Sequence, residues 1–467
     1  MNTVSSLDVQ AAVEEIKCGL SPFEVLTAFK DEPCSFLLES SLITQDLGRY
    51  SFVGTSPFAT LSSKGKSINV TQGSLTRMIE GDPLAELERM IQPHHFLPVP
   101  NCPPLPSGAV GYFGYDLNRL LERLPDRSSD DLMFPDCSFM LVDGVVAFDH
   151  ISDKVYLLGS EEGVEWLRKL LKATKTLPGE ILKPKGYRFR LQEKVSKKTY
   201  IDSVRRAKEY IYAGDIYEVN LSHRFDVSFT RSDDDLPYHI YSALRGESPS
   251  PFSAFLKFGD LIAISSSPER FLKLSGRRVE TRPIKGTRPR GKTKEEDERL
   301  KMELTYSVKD RAENLMIVDL SRNDLGRVSQ YGSVAVPELF KVEKYATVYQ
   351  MVSTIVGELK EGSNALDLLR ASFPPGSMTG APKVRAMEII EELEPYKRGI
   401  YSGALGYLSF TGDMDLSVTI RTLILKGGTG SFQVGGAVVA DSNPEDEYHE
   451  TLTKAEGIVR ALGHLEG

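Results

Sequence analysis

The chain has 467 residues, with 57 lysines and arginines against 65 acidic residues and a formal charge of -8. That length can bury a large core in two domains or one composite one, and the negative balance excludes a chain-wide nucleic-acid footprint. Cys18, Cys34, Cys102 and Cys137 form no CxxC pair and His94 and His95 sit in a proline-flanked loop, so neither a zinc site nor a disulfide framework is signalled. No segment approaches 18 consecutive apolar residues and no secretory leader is evident, which makes a cytoplasmic protein without membrane association the expectation.

In chain order, PCSFLLESS, RYSFVGTSPFATLSS and SKGKSINVT are β-rich and broken by Gly, Pro and Ser, which predicts short strands and turns. SFMLVDGVVAFDH followed by DKVYLLG reads as a hairpin-like pair. TKTLPGEILKPKGYRF has little periodicity and marks a candidate boundary near residue 185, dividing 1–185 from 186–467. In SKKTYIDSVRRAKEYIYAGD, Tyr200, Val204, Ala207 and Ile211 follow helical spacing, with Gly214 at the C-cap. IYEVNLSHRF then alternates as a strand, with Glu218 and Asn220 on one face and Tyr217, Val219 and Leu221 on the other.

TRPIKGTRPRG gathers Arg282, Lys285, Arg288 and Arg290 between prolines and glycines. Neighbouring cations and burial both lower a lysine pKa, so this cluster is expected either to supply a neutral amine at Lys285 or to be a flexible basic loop. SVKDRAENLMIVDL places Asp310 and Glu313 three apart on a predicted helix, and PEDEYHETLTKAE does the same with Glu447 and Glu450, followed by Lys454. Each pair shares a helix face. Four hard oxygen donors suit Mg2+, and the same spacing also describes solvated charged faces.

SFPPGSMTGAPKVRAMEIIEEL reads as a glycine-bearing loop entering a helix, with Pro382 suited to the first turn, and serves as a turn or an anion site. DLSVTIRTLIL alternates Leu416, Val418 and Ile420 against Ser417, Thr419 and Arg421. Arg421, ending the polar row, suits a carboxylate clamp or a salt bridge. SFQVGGAVVADS carries Gly435 and Gly436 inside a strand, which marks a bulge or close approach of a ligand to backbone.

Together, SSSPERF, RPIKGTRPRG, AENLMIVDLSRNDLGRV, FPPGSMTGAPKVRAMEIIEELEP, GYLSF, DLSVTIRT and DSNPEDEYHETLTKAE resemble the chorismate-utilising enzymes, strongly from about Ser196 onward. LLESS, GRYSFVGTSP and GAVGYFGYD extend the resemblance more weakly into the first part. It implies an α/β (α+β) fold like that of anthranilate synthase component I. Antiparallel sheets would pack together with helices outside, the site in the cleft between sheets, and the two parts intertwined.

Within the family, PIKGT with Lys285 resembles the aminodeoxychorismate synthases, whereas anthranilate synthases have alanine there; LLESS and GRYSF resemble the walls of a tryptophan pocket, regulatory in anthranilate synthases or occupied structurally in aminodeoxychorismate synthases, which does not discriminate. EVNLSH places Glu218 where water-adding members have a lysine and amine-adding members usually have glutamine. Gln350 and Ala437 stand where histidine and glycine are common. The resemblance implies covalent attack on chorismate by Lys285, acid/base work by Glu269, and Mg2+ held by Glu313 and Glu450 with Asp310 and Glu447 close by. It also implies substrate contacts from Gly286, Thr287, Ser377, Tyr401, Arg421, Gly435 and Lys454. Ammonia would come from a separate glutamine amidotransferase, since no stretch resembles a fused one. Anthranilate synthesis, or a non-catalytic chorismate-binding role, are the alternatives.

Overall fold

The computed structural model describes residues 10–42, 47–173, 186–345 and 348–466. The expected boundary near residue 185 lies outside these described residues. Two twelve-stranded sheets dominate the rest, and their ladders are antiparallel. In the first sheet Cys34–Glu39 pairs with Phe252–Phe258, and in the second Gly108–Phe113 pairs with Ala404–Ser409. Strands from both sides of residue 185 therefore share each sheet.

An apolar layer lies between the sheets, joining Phe36, Leu256 and Ala263 of the first to Val110, Met140 and Leu405 of the second. Leu37, next to Phe36, belongs instead to the outer layer, as the two-residue period of a strand requires. That outer layer packs Pro22–Ala28, Leu236–Glu247 and Pro444–Gly463 against the first sheet. Pro83–Ile91, Val308–Val328 and Ala365–Ser372 cover the second. The expected arrangement of packed antiparallel sheets with helices outside is the one observed. Among the described residues no helix is long and apolar enough to cross a membrane.

The helix read from SKKTYIDSVRRAKEYIYAGD spans Lys197–Ala213. The Ser196 side chain accepts from the Thr199 N–H at its start, and Gly214 ends it with φ 83°. Its apolar stripe, Tyr200, Val204 and Ala207, packs with Val219 and Leu221, which leaves Glu218 and Asn220 to point the other way.

Three sequence expectations change. SFMLVDGVVAFDH is two strands, Cys137–Val142 and Gly144–Asp149, that enter different sheets, and only the second forms the hairpin with Lys154–Gly159. DLSVTIRTLIL likewise divides into Met414–Val418 and Thr422–Lys426 in different sheets. Arg421 thus sits in the crossover with φ 50° and does not end a polar row. Both segments are buried on two faces, so an apolar run could not reveal where the chain changes sheet. Pro382 is the N-cap of Lys383–Leu393, one place before the first turn.

Candidate active site

Lys285 lies on Ile284–Pro289, at the edge of the second sheet. Against Val348–Glu358 the register advances three residues, from Ile284 to Thr287, while the partner advances two, from Val352 to Gln350. This is a bulge, and Gly286 makes it with φ 89°. A side chain at Gly286 would also meet Asp310, at 2.9 Å from its Cβ. The bulge delivers Lys285 to the first sheet, where its Nζ donates to Glu218 Oε1 at 2.6 Å. Lys285 is 9% exposed and Glu218 fully buried, so this ion pair spans the cleft between the sheets.

The surrounding arginines do not do what their spacing suggested. Arg282 pairs with Glu343, Arg288 with Glu303 and Asp310, and Arg290 with Asp297. Burial pulls the Lys285 ammonium toward neutrality, but the carboxylates of Glu218, Glu313 and Glu269 outweigh it and its pKa stands above the ordinary value. The expectation of an amine neutralised by adjacent cations is therefore incorrect. Every one of those cations is already neutralised by a carboxylate brought from elsewhere in the chain.

Glu269 precedes the strand Arg270–Ser275 and is 5% exposed. Burial pushes its carboxyl up to about 7, against hydrogen bonds from Ser377 and the Ile284 N–H and the attraction of Lys285. Ser377 lies in the short turn Gly376–Met378. Glu313, on Val308–Val328, is also raised to about 7, chiefly by burial, with Lys285 opposing. These values put two carboxyls near Lys285 within reach of proton exchange at neutral pH.

A second group gathers around Gly435. The place a Cβ would occupy there is 2.9 Å from both Asn220 Oδ1 and the Tyr401 hydroxyl, so the position must lack a side chain. Lys454 donates to the Gly435 carbonyl at 3.0 Å and pairs with Glu450 at 2.8 Å. Glu450 is 54% exposed, and although burial opposes it, Lys454, Lys309 and Lys285 hold its pKa below the ordinary value. Glu447 accepts from Ser442 through Oε1, while burial raises its pKa. Arg421 has no ion pair or side-chain hydrogen bond among the described residues, and desolvation lowers its pKa. Thr287 is exposed beside the bulge.

Several buried polar atoms lack a partner among the described residues: Glu218 Oε2, Asn220 Oδ1, Gln350 Oε1, Thr419 Oγ1 and Glu447 Oε2. Unsatisfied buried groups are costly, and two of these atoms, Asn220 Oδ1 and Glu447 Oε2, border the strand at Gly435 and Gly436, where a polar ligand could satisfy them. Sequence reading missed Thr419 in this role. It also missed the network that fixes the floor of the site, where Arg398 binds Glu394, the Met378 carbonyl and the Asn220 carbonyl. The i,i+4 spacing of Glu394 and Arg398 was the available signal.

No group of three or more His, Cys, Asp or Glu side chains among the described residues stands in an arrangement that could hold a metal ion. Asp310 is engaged by Arg288, and the other three carboxylates come from two helices. Their chemistry nonetheless fits Mg2+: they are hard oxygen donors, Glu447 Oε2 has no partner among the described residues, and burial disfavours the Glu313 charge more than Lys285 and Lys309 support it, so both would gain from a cation. A separate cavity of about 380 Å³ lies where LLESS and GRYSF meet, lined by Glu39, Ser40, Arg49, Tyr50, Phe252 and Lys273.

Lys285, Glu218, Glu269 and Glu313 thus form a charged cluster shielded from water between the two sheets, and Arg421 has no side-chain partner among the described residues. The family model described as chorismate binding enzyme matches residues 35–460, and the chain belongs to that family. It is 40% identical over 461 residues to anthranilate synthase component 1 of Acetivibrio thermocellus, covering 95% of this chain and 92% of that one. It is 41% identical over 435 residues to aminodeoxychorismate synthase component 1 of Escherichia coli strain K12, covering 92% and 93%. The crystal structure of anthranilate synthase component I from Streptococcus pneumoniae TIGR4 matches with a TM-score of 0.78 and 33% identity, over 89% of this chain and 93% of that one. Relatives of both names stand at similar identity, so identity does not choose between the two activities.

Proposed function

We infer that the protein is the chorismate-binding component of an aminodeoxychorismate synthase, converting chorismate and ammonia to 4-amino-4-deoxychorismate on the route to 4-aminobenzoate and folate. The observation that carries this reading is Lys285, aimed by a bulge into the cleft and held 2.6 Å from a buried carboxylate. Lys285 attacks C2 of the ring as the C4 hydroxyl leaves, and ammonia then adds at C4 and expels the amine. The covalent adduct divides one hard substitution into two easier ones.

Glu269, poised near neutrality, gives a proton to the departing hydroxyl and takes one from the added ammonia. Arg421 and Tyr401 bind the enolpyruvyl carboxylate, and Gly286, Thr287, Ser377, Gly435 and Lys454 line the substrate. Glu313 and Glu450, with Asp310 and Glu447 nearby, would hold Mg2+, whose role is to neutralise the ring carboxylate. Ammonia comes from a separate glutamine amidotransferase or from ammonium salts. The second cavity, by its LLESS and GRYSF walls, is the place for tryptophan.

The test is product identity with chorismate, Mg2+ and ammonium at pH near 8.5, coupled to an aminodeoxychorismate lyase. The expected product is 4-aminobenzoate. Fluorescent anthranilate would assign the chain to the other activity.

A further inference from the structure

Resting on the covalent role of Lys285, we propose that Glu218 is the proton acceptor that frees the Lys285 amine for attack and later returns the proton. The two groups touch at 2.6 Å, and Glu218 is the acceptor of the one hydrogen bond that Lys285 Nζ makes among the described residues. An ammonium has three donors, so two of them are left without a hydrogen bond to the described residues. Glu218 is completely buried and its second oxygen has no partner among the described residues.

In water, transfer of a proton from lysine to glutamate is unfavourable by about six powers of ten. Here it annihilates two charges that are both deprived of water, which removes much of that penalty. The carboxylates of Glu313, Glu269 and Glu450 also face Lys285 and favour its charged form, so the amine does not become free by desolvation alone. The adjacent carboxylate supplies the missing step.

The proton balance closes over the cycle. Lys285 passes one proton to Glu218, and the neutral amine then forms the bond to C2 while the C4–O bond breaks. The departing hydroxyl leaves as water with a proton from Glu269. Ammonia bonds to C4, the C2–N bond breaks, and the released amine recovers its proton from Glu218. The new C4 ammonium returns one to Glu269. Glutamine, the residue that amine-adding members usually have in place of Glu218, cannot store a proton in this way.

The test is the rate of covalent adduct formation on mixing the protein with chorismate and Mg2+ without ammonia, followed by acid quench and intact mass from pH 7.5 to 9.5. Transfer within the pair predicts a rate nearly independent of pH, because no proton is exchanged with solvent. Loss of the proton to solvent instead predicts about a tenfold rise per pH unit and overturns the proposal. Glu218→Gln, measured from pH 5.5 to 9.5, is expected to acquire a one-proton limb, and Glu218→Asp to restore the flat profile. A wild-type profile retained in Glu218→Gln refutes the role of Glu218 while leaving the covalent route intact. Absence of any adduct in the wild type refutes the covalent route itself, and the role of Glu218 with it.

Discussion

Two lysines with little exposed side chain, Lys285 at 9% and Lys383 at 11%, behave differently. Lys383 donates to Asp324 at 2.7 Å, to the Ser372 carbonyl at 2.7 Å and to the Pro374 carbonyl at 3.1 Å. All three of its donors are used. Lys285 uses one. Burial draws the pKa of Lys383 below its ordinary value, against the pull of Asp324, whereas that of Lys285 is raised. By pKa direction alone, Lys383 would be taken as the nucleophile. Donor satisfaction favours the opposite assignment proposed above: Lys383 has every hydrogen bond made, as a structural clasp would, whereas Lys285 keeps two donors without a partner among the described residues, as a group that meets a ligand would.

Substitution sharpens this contrast. Lys285→Met is expected to remove formation of the 4-amino product by at least about a hundredfold, because the proposed nucleophile is lost, and to destabilise as well, because it leaves the fully buried Glu218 carboxylate without its partner. Turnover in the presence of ammonium and thermal melting measure the two effects. Lys383→Met leaves Asp324 and two carbonyls buried without partners, and is expected to destabilise by about 3–5 kcal/mol in denaturant titration. A Lys383 variant as stable as the wild type would break the distinction.

Glu269 gives a prediction with a definite sign. Its folded-state value of about 7 lies above the ordinary 4.5. Below 4.5 both folded and unfolded states hold the proton and there is no effect. Between 4.5 and 7 the folded state binds more protons than the unfolded one, so stability falls as pH rises, and the loss is complete above 7. At about 1.4 kcal/mol per pH unit the ceiling is roughly 3 kcal/mol. Glu269→Gln is therefore expected to melt above the wild type at pH 8 and level with it at pH 4.

The smallest effect is expected at Arg421, whose side chain has no partner among the described residues. Arg421→Gln removes charge-assisted hydrogen bonds worth about 2 kcal/mol and should raise KM for chorismate roughly tenfold to a hundredfold, with little change in melting temperature. A fall in stability with KM unchanged would make Arg421 another structural group.

The candidate site residues were legible as local patterns: carboxylates three apart on helices, paired glycines inside a strand, a lysine followed by glycine in a cluster of arginines. The carboxylate pairs do lie on Val308–Val328 and Pro444–Gly463, and Gly435 does lie inside Thr429–Val438. What decides the behaviour of Lys285 was not legible, because its partner Glu218 is 67 residues away on the other sheet. The same holds for Arg282, whose carboxylate is 61 residues distant. Charge clusters read from sequence count only the neighbours along the chain, and folding supplies the opposite charges. The crossover at Arg421 was hidden for a related reason: strands buried on both faces give no signal when the chain leaves one sheet for another.

The central claim is that Lys285 becomes covalently attached to the substrate. Protein mixed with chorismate and Mg2+ in the absence of ammonia, then quenched and digested, should yield one modified peptide. Its added mass should be that of chorismate less water, located at Lys285 and absent from Lys285→Met. Steady turnover to the 4-amino product with no adduct at Lys285, or with the same product from Lys285→Met, would contradict the account.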